Sequence, residues 1–173
     1  MANKISTKNM VITALLIAFG IIIPTAFGFL RVVLPPAFTA TLTAHVPIFI
    51  AMFISPMSAI FTAIGTAIGF LFAGLDMVVV VRAASHIVFA IVGAYMIKNK
   101  SGIILPGIIT AILHALLEAI VVYLFLALGW STSSEAFFNV AFYTTGIGTL
   151  MHHAVDYIIA IILVKGLSKA GAL

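Results

Sequence analysis

The fold of this chain is decided by the apolar stretch IILPGIITAILHALLEAIVVYLFLAL, which occupies Ile103–Leu128. A helix needs about 20 apolar residues to cross the hydrocarbon core of a bilayer, and this stretch is long enough. It contains His114 and Glu118, four residues apart, so a helix places both on one face. An acid at the centre of such a helix costs about 2.5–3.5 kcal/mol on insertion scales. The rest of the chain must therefore supply partners for this pair or make use of it.

The composition places the whole chain in a membrane. Of its 173 residues, 64% are hydrophobic and only 7% are charged, and the mean hydropathy is +1.35. Soluble domains carry about 25% charged residues. The apolar segments are too long for the strands of a membrane β-barrel and lack strict alternation, so we expect α-helices. The chain has no cysteine, which excludes disulfides, thiolate metal ligands and cysteine nucleophiles.

We predict an all-α integral membrane protein in which residues 1–173 form a single domain, one compact bundle of six transmembrane helices. Proline, glycine and polar clusters between the apolar runs set the boundaries of the spans. The predicted spans cover residues 9–29, 44–55, 57–73, 77–97, 103–128 and 142–164, approximately. Residues 31–43 include Pro35 and Pro36 and are predicted to form an irregular outer loop that acts as a lid.

The charges predict the orientation of the bundle. The lysines lie near the N-terminus, in the turn between spans four and five, and near the C-terminus: Lys4, Lys8, Lys98, Lys100, Lys165 and Lys169. Six spans place these three regions on one face, which the positive-inside rule makes cytoplasmic, together with both termini. The net charge of +4 is therefore an orientation signal, and we expect it to contact anionic lipid headgroups rather than nucleic acid.

Three consecutive spans carry polar pairs at helical spacing. At 1.5 Å per residue, the alternating directions of these spans bring all three pairs to similar depths in the outer half and middle of the membrane. Ionisable residues at such depth mark a functional site by default, although a buried ion network that only ties the helices together is the alternative. The pairs are Arg82 and His86, His114 and Glu118, and His153 and Asp156.

Three further polar residues border this layer. His45 begins span two near the outer surface, and Asn139 ends the polar connection before span six, so both join the candidate binding residues. His152 faces about 100° away from His153 on a helix, and we expect it to contact another helix instead.

Three functions fit such a layer. A substrate-binding subunit would open a water-accessible pocket outward, beneath the loop 31–43. An intramembrane enzyme would hold a metal ion with His114, Glu118, His153 and Asp156, but the chain has no HExxH-type signature. A self-contained proton-coupled carrier would use the histidines as relays. Six short spans without an internal repeat make alternating access difficult to build, which counts against the carrier.

The first span contains Ala14 and Ala18, a pair of small residues that lets another helix approach closely. With this motif, the six spans, the lysine-marked face and the long first outer loop, the whole chain resembles the S components of the energy-coupling factor (ECF) vitamin transporters. These are six-helix subunits that bind a vitamin and dock on a shared energising module. The N-terminal Met-His metal site of the cobalt and nickel branch is absent, as is the tryptophan-rich pocket of the thiamine branch.

The resemblance implies a multi-pass protein of the bacterial plasma membrane that works with a transmembrane coupling subunit and two ATPase subunits. It implies that the protein lies over in the bilayer when it docks, so that its outer pocket turns inward. It gives Ala14 and Ala18 a docking role and places the pocket among helices four to six. The implied pocket residues are Arg82, His86, His114, Glu118 and His153, and the lid residues are Arg31, Pro35, Pro36 and Phe38.

The pocket chemistry limits the substrate without identifying it. One arginine, two acids and several imidazoles offer donors and acceptors in near balance, which suits a small polar heterocycle such as pyridoxine, a hydroxymethylpyrimidine or niacin. Alternatively, Arg82 clamps the carboxylate of niacin or pantothenate. We expect no enzymatic activity, no cofactor and no bound metal ion.

Overall fold

A computed structural model describes residues 6–34, 38–129 and 136–173. These residues are mostly helical, as predicted for an α-helical membrane protein. The helices are α1 (Thr7–Ala26), α2 (Val46–Ile54), α3 (Pro56–Phe72), α4 (Met77–Lys98), α5 (Ile104–Ala127) and α6 (Gly148–Lys169), and a π-helical segment (Asn139–Ile147) leads directly into α6.

In the part of the chain that the structure describes, four helical stretches are long and apolar enough to cross a membrane: Thr7–Ala26, Met77–Lys98, Ile104–Ala127 and Asn139–Lys169. Helices α2 and α3 are shorter, and the break between them follows from their sequence. Ser55 caps α3 by accepting a hydrogen bond from the backbone N–H of Ser58 at 3.0 Å, and Pro56 occupies its first turn. Six complete membrane crossings remain a prediction.

The connection between α1 and α2 contains a β-hairpin, so the prediction of an irregular loop at residues 31–43 was wrong. Strand β1 (Arg31–Leu34) pairs antiparallel with β2 (Phe38–Thr41), with Arg31 opposite Thr41 and Leu34 opposite Phe38. Valine and threonine favour extended structure in both strands. Pro35 and Pro36 lie between the strands, outside the described residues, and so remove no pairing N–H from either strand.

The two ends of the described chain lie together. The Lys8 ammonium donates a hydrogen bond to the Gly171 carbonyl at 3.0 Å. Ser6, Ser55 and Lys98 line one depression at this same end. An even number of membrane crossings requires both ends of the chain to lie on the same side. The same end of the bundle also groups lysines that were predicted to share a face.

Helices α1 and α3 meet at glycines, which allows a close approach. A side chain at Gly69 would overlap Ile21, whereas Gly166 on α6 has open space beside it. We expect Gly69→Leu to lower the free energy of unfolding by about 1–3 kcal/mol, because the helices must move apart. Thermal unfolding in detergent checks this, with Gly166→Leu as the matched control. Equal melting temperatures for the two variants would show that the α1–α3 contact is not close-packed.

Candidate functional site

Glu118 is the centre of the buried polar layer and joins three helices. Its Oε2 accepts hydrogen bonds from Arg82 Nη2 at 2.8 Å and from the Thr149 hydroxyl at 2.6 Å. Its Oε1 lies 3.1 Å from His86 Nε2 and 3.3 Å from His114 Nε2. The glutamate has only 3% of its surface exposed. Helices α4 and α6 thus supply the partners that α5 needs for its acid.

Asp156 is a second centre, and its contacts are mainly with the backbone. Its carboxylate accepts hydrogen bonds from the N–H groups of Thr43 at 2.7 Å and His45 at 3.0 Å. Thr43 has a left-handed backbone with φ of 70°, which is unfavourable for a β-branched residue. Asp156 therefore stabilises the turn that leads from the hairpin into α2.

Imidazoles connect the two centres. His45 Nδ1 lies 3.3 Å from Asp156 Oδ2, and the His45 ring lies with its centroid 4.5 Å from that of His114. His114 Nδ1 is 3.0 Å from His153 Nδ1, and His153 Nε2 is 3.2 Å from the Thr110 hydroxyl. These rings form one continuous buried chain from the turn before α2 to the middle of α5.

A cavity of about 170 Å³ opens beside Glu118. It lies under the hairpin, between α2, α3 and α4, and α5 and α6 contribute Glu118 and His152 to its wall, whereas the substrate pocket was predicted among helices four to six. At the level of Glu118, the Thr149–Glu118 hydrogen bond and the His114–His153 contact join α6 to α5. The polar residues on its wall include Arg31, Thr39, His45, Asp76, Arg82, His86, Glu118 and His152.

The structure brings most of the predicted binding residues together, but only some of them line the cavity. Four of them line the cavity: His45, Arg82, His86 and Glu118. Three others, His114, His153 and Asp156, are buried behind its wall. Asn139 is exposed at the start of the π-helical segment and makes no contact with the layer among those described.

Two of the four proposed lid residues can be placed. Arg31 lines the cavity and donates a hydrogen bond to the Pro24 carbonyl at 2.8 Å. The Phe38 ring lies under the Arg82 guanidinium, 5.8 Å from its central carbon to the ring centroid. Pro35 and Pro36 fall outside the described residues.

Sequence reasoning missed Thr149 and left His152 out of the candidate binding residues. Thr149 binds Glu118, and His152 lines the cavity with its ring centroid 4.7 Å from that of His45. His152 is four residues from Asp156, and Thr149 is four residues from His153. This helical spacing was the signal that could have identified both.

Helix α1 turns its two predicted docking residues outward. Ala14 and Ala18 are exposed, and the residues of α1 that are buried lie on another face: Thr13, Leu16, Gly20 and Pro24. Large apolar side chains on the outer face, such as Leu15 and Phe19, are also more than half exposed. The face of α1 that points away from the other helices is therefore apolar and contains small residues.

Comparison with curated proteins identifies a relative, the Niacin transporter NiaX of Lactococcus lactis subsp. cremoris (strain MG1363). The two sequences are 35% identical over 175 residues, an alignment that covers 97% of this chain and 78% of the relative. No family model matches the chain. No solved structure matches it significantly. The similarity extends over nearly the whole chain and is not confined to one motif.

Proposed function

Because this chain belongs to the S components of the ECF-type vitamin transporters, we propose that it captures niacin in the cavity beneath the hairpin and delivers it to an energising module. Its curated relative is a transporter and not an enzyme, which confirms the corresponding expectation from the sequence. The enzyme and self-contained carrier alternatives have no comparable support.

An unpaired donor on Arg82 is the observation that carries the choice of niacin. Arg82 lines the cavity, and its Nε is buried without a hydrogen-bond partner among the described residues. A buried donor left unpaired costs about 1–3 kcal/mol, and a ligand carboxylate would remove that cost. Niacin carries a carboxylate, whereas pyridoxine and hydroxymethylpyrimidines do not.

The size of the cavity also favours a small ring. Pockets for drug-sized ligands are about 300–1,000 Å³, and this cavity is about 170 Å³. Besides Arg82, its wall offers imidazoles of His45 and His86. These groups can donate to or accept from a ring nitrogen, depending on their tautomer.

We expect the purified chain to bind niacin at least tenfold more tightly than nicotinamide, which has the same shape but no charge. A hydrogen bond to a charged group contributes about 1.5–3 kcal/mol, and about 1.4 kcal/mol is a factor of ten. Isothermal titration of both ligands, with pantothenate and pyridoxine as competitors, measures this. Equal affinities for niacin and nicotinamide would contradict the carboxylate clamp, and tighter binding of pantothenate would identify another vitamin.

The energising module in this proposal comprises a transmembrane coupling subunit and two ATPase subunits, and Ala14 and Ala18 dock on the coupling subunit. We expect Ala14→Leu and Ala18→Leu to reduce recovery of the assembled complex, because a large side chain holds two helix backbones apart. Niacin affinity should not change. Co-purification measures assembly, with Ala154→Leu at an exposed position of α6 as the control. Full recovery of the complex from both α1 variants would show that the docking surface lies elsewhere.

The proposed setting is the bacterial plasma membrane, with six crossings and both termini in the cytoplasm. The hydrogen bond between Lys8 and Gly171 supports a shared side for the termini. The lysines at that end support the cytoplasmic assignment through the positive-inside rule and through contact with anionic lipids.

A further inference from the structure

We propose that the buried cluster beside the cavity binds one divalent transition-metal ion through His45, His86, His114 and Glu118. The site goes beyond the proposed function, because it requires no vitamin. From the sequence we expected no metal ion, and the one candidate ligand set included His153 and Asp156. The structure gives those two residues a different position, behind the ligands.

Three of the donor atoms form a nearly equilateral triangle. His86 Nε2 and His114 Nε2 are 3.1 Å apart, and they lie 3.1 and 3.3 Å from Glu118 Oε1. Nitrogen and oxygen ligands about 2.0–2.1 Å from a tetrahedral ion are about 3.3 Å from one another. The triangle therefore has nearly the dimensions of one face of such a coordination sphere.

Hydrogen bonds around His114 leave its Nε2 free to bind an ion. The Thr110 hydroxyl uses its hydrogen on the Pro106 carbonyl at 2.6 Å, so it accepts at 3.2 Å from His153 Nε2–H. The neutral His153 ring then has a bare Nδ1, which accepts the hydrogen of His114 Nδ1 at 3.0 Å. A neutral His114 consequently presents the lone pair of its Nε2 to the triangle. Metal-binding histidines are usually held in this way, through a hydrogen bond from the other ring nitrogen.

His45 is held in the same way by a carboxylate. Its Nδ1 lies 3.3 Å from Asp156 Oδ2, which can only accept when ionised, so Nδ1 carries the hydrogen and Nε2 carries the lone pair. One donor atom from each of His45, His86, His114 and Glu118 can be chosen so that all four lie within 4.8 Å of one another. His45 is thus the fourth ligand in this proposal.

Glu118 presents one oxygen to the triangle because its other oxygen is occupied. Arg82 and Thr149 both donate to Oε2, which leaves Oε1 for the imidazoles. With neutral imidazoles, the two buried carboxylates of the layer face only one arginine, so the layer has a net negative charge that a cation would offset. Three imidazoles and one carboxylate suit Zn²⁺, Co²⁺ or Ni²⁺ and do not suit Mg²⁺ or Ca²⁺, which prefer oxygen ligands.

The alternative occupant of the triangle is a proton. His86 Nε2–H would then be shared between Glu118 Oε1 and the lone pair of His114 Nε2, and the cluster would be a purely hydrogen-bonded network. The two possibilities differ in whether the protein takes up a metal ion with defined stoichiometry.

The test uses the full chain, purified with a tag that contains no histidine and stripped with a chelator. In the absence of niacin, we expect it to take up one Zn²⁺ per chain in competition with a chromophoric chelator, and its melting temperature to rise with Zn²⁺. X-ray absorption of the Zn²⁺-loaded chain should show imidazole ligands at about 2.0–2.1 Å. No stoichiometric uptake, or a first shell of water alone, would overturn the proposal.

Two variants locate the ion. His86→Asn should abolish Zn²⁺ uptake, whereas His152→Asn should retain it. The comparison is needed because His45, His152 and Asp156 also form a compact group. Uptake that is lost in His152→Asn but kept in His86→Asn would place the ion on that group and overturn the assignment. The X-ray absorption measurement on the parent chain remains decisive if His86→Asn does not fold. Niacin binding is measured separately, so failure of either proposal is recognised independently of the other.

Discussion

Replacing Arg82 with alanine is expected to abolish measurable niacin binding and to lower the free energy of unfolding by about 3–5 kcal/mol. The arginine is 6% exposed, and it donates to Glu118 at 2.8 Å and to the Thr39 carbonyl at 3.2 Å. Its removal leaves a buried carboxylate without its opposing charge. It also removes the donor that we assign to the vitamin. Isothermal titration and denaturant unfolding in detergent measure the two effects.

A double variant separates the two roles of Arg82. Arg82→Met combined with Glu118→Leu removes both charges, and replacing a buried ion pair by apolar residues is often neutral for stability or even stabilising. We therefore expect the double variant to regain most of the stability lost in Arg82→Ala but none of the niacin binding. Normal niacin affinity in either variant would restrict Arg82 to a structural role.

Three lysines on the outer strand of the hairpin are expected to block transport by the complete complex while leaving niacin binding intact. The family resemblance implies that the protein lies over in the bilayer when it docks, which would carry its outer rim into hydrocarbon. Val32, Val33 and Leu34 are about half exposed and do not line the cavity. Each lysine would add about 2.5–3.5 kcal/mol at the membrane centre, up to ~10 kcal/mol together and less if the chains snorkel.

Such a barrier would reduce transport by a readily measured amount, because every 1.4 kcal/mol corresponds to about a tenfold change. Uptake of labelled niacin by proteoliposomes that contain the whole complex measures transport, and titration in detergent measures binding. Substituting glutamine at the same three positions provides the control, because it is polar but adds no charge. Transport by the lysine variant at the parent rate would show that the rim does not enter the membrane.

Local properties of the sequence predicted the helical membrane fold and the polar layer. Hydropathy depends on consecutive residues, and the pairing of His114 with Glu118 depends only on the helical repeat. An arginine in α4 and a glutamate in α5 have few other partners available in hydrocarbon, which explains the Arg82–Glu118 contact. The resemblance to the family rested on the six predicted spans, the lysine-marked face, the long first loop and the small residues Ala14 and Ala18.

Contacts between distant parts of the chain had no such local signal. Asp156 was assigned to substrate binding, but the structure shows that it binds the backbone of Thr43, which is 113 residues away in sequence. The hairpin was missed because its two strands are only four residues long and show no alternation of buried and exposed residues. Asn139 was placed in the layer from its position in the chain, whereas the structure leaves it exposed.

The sequence by itself thus determined that the protein is an α-helical membrane protein and which ionisable residues lie in its apolar helices, because composition and helical periodicity are local. It also determined which family the chain resembles. Only the tertiary structure decided where the cavity lies and which groups share it. The hairpin and α2 bring His45 against His86, 41 residues later in the chain, while Thr149 links α6 to Glu118 on α5. Those positions depend on packing between elements far apart in sequence, which neither hydropathy nor spacing specifies.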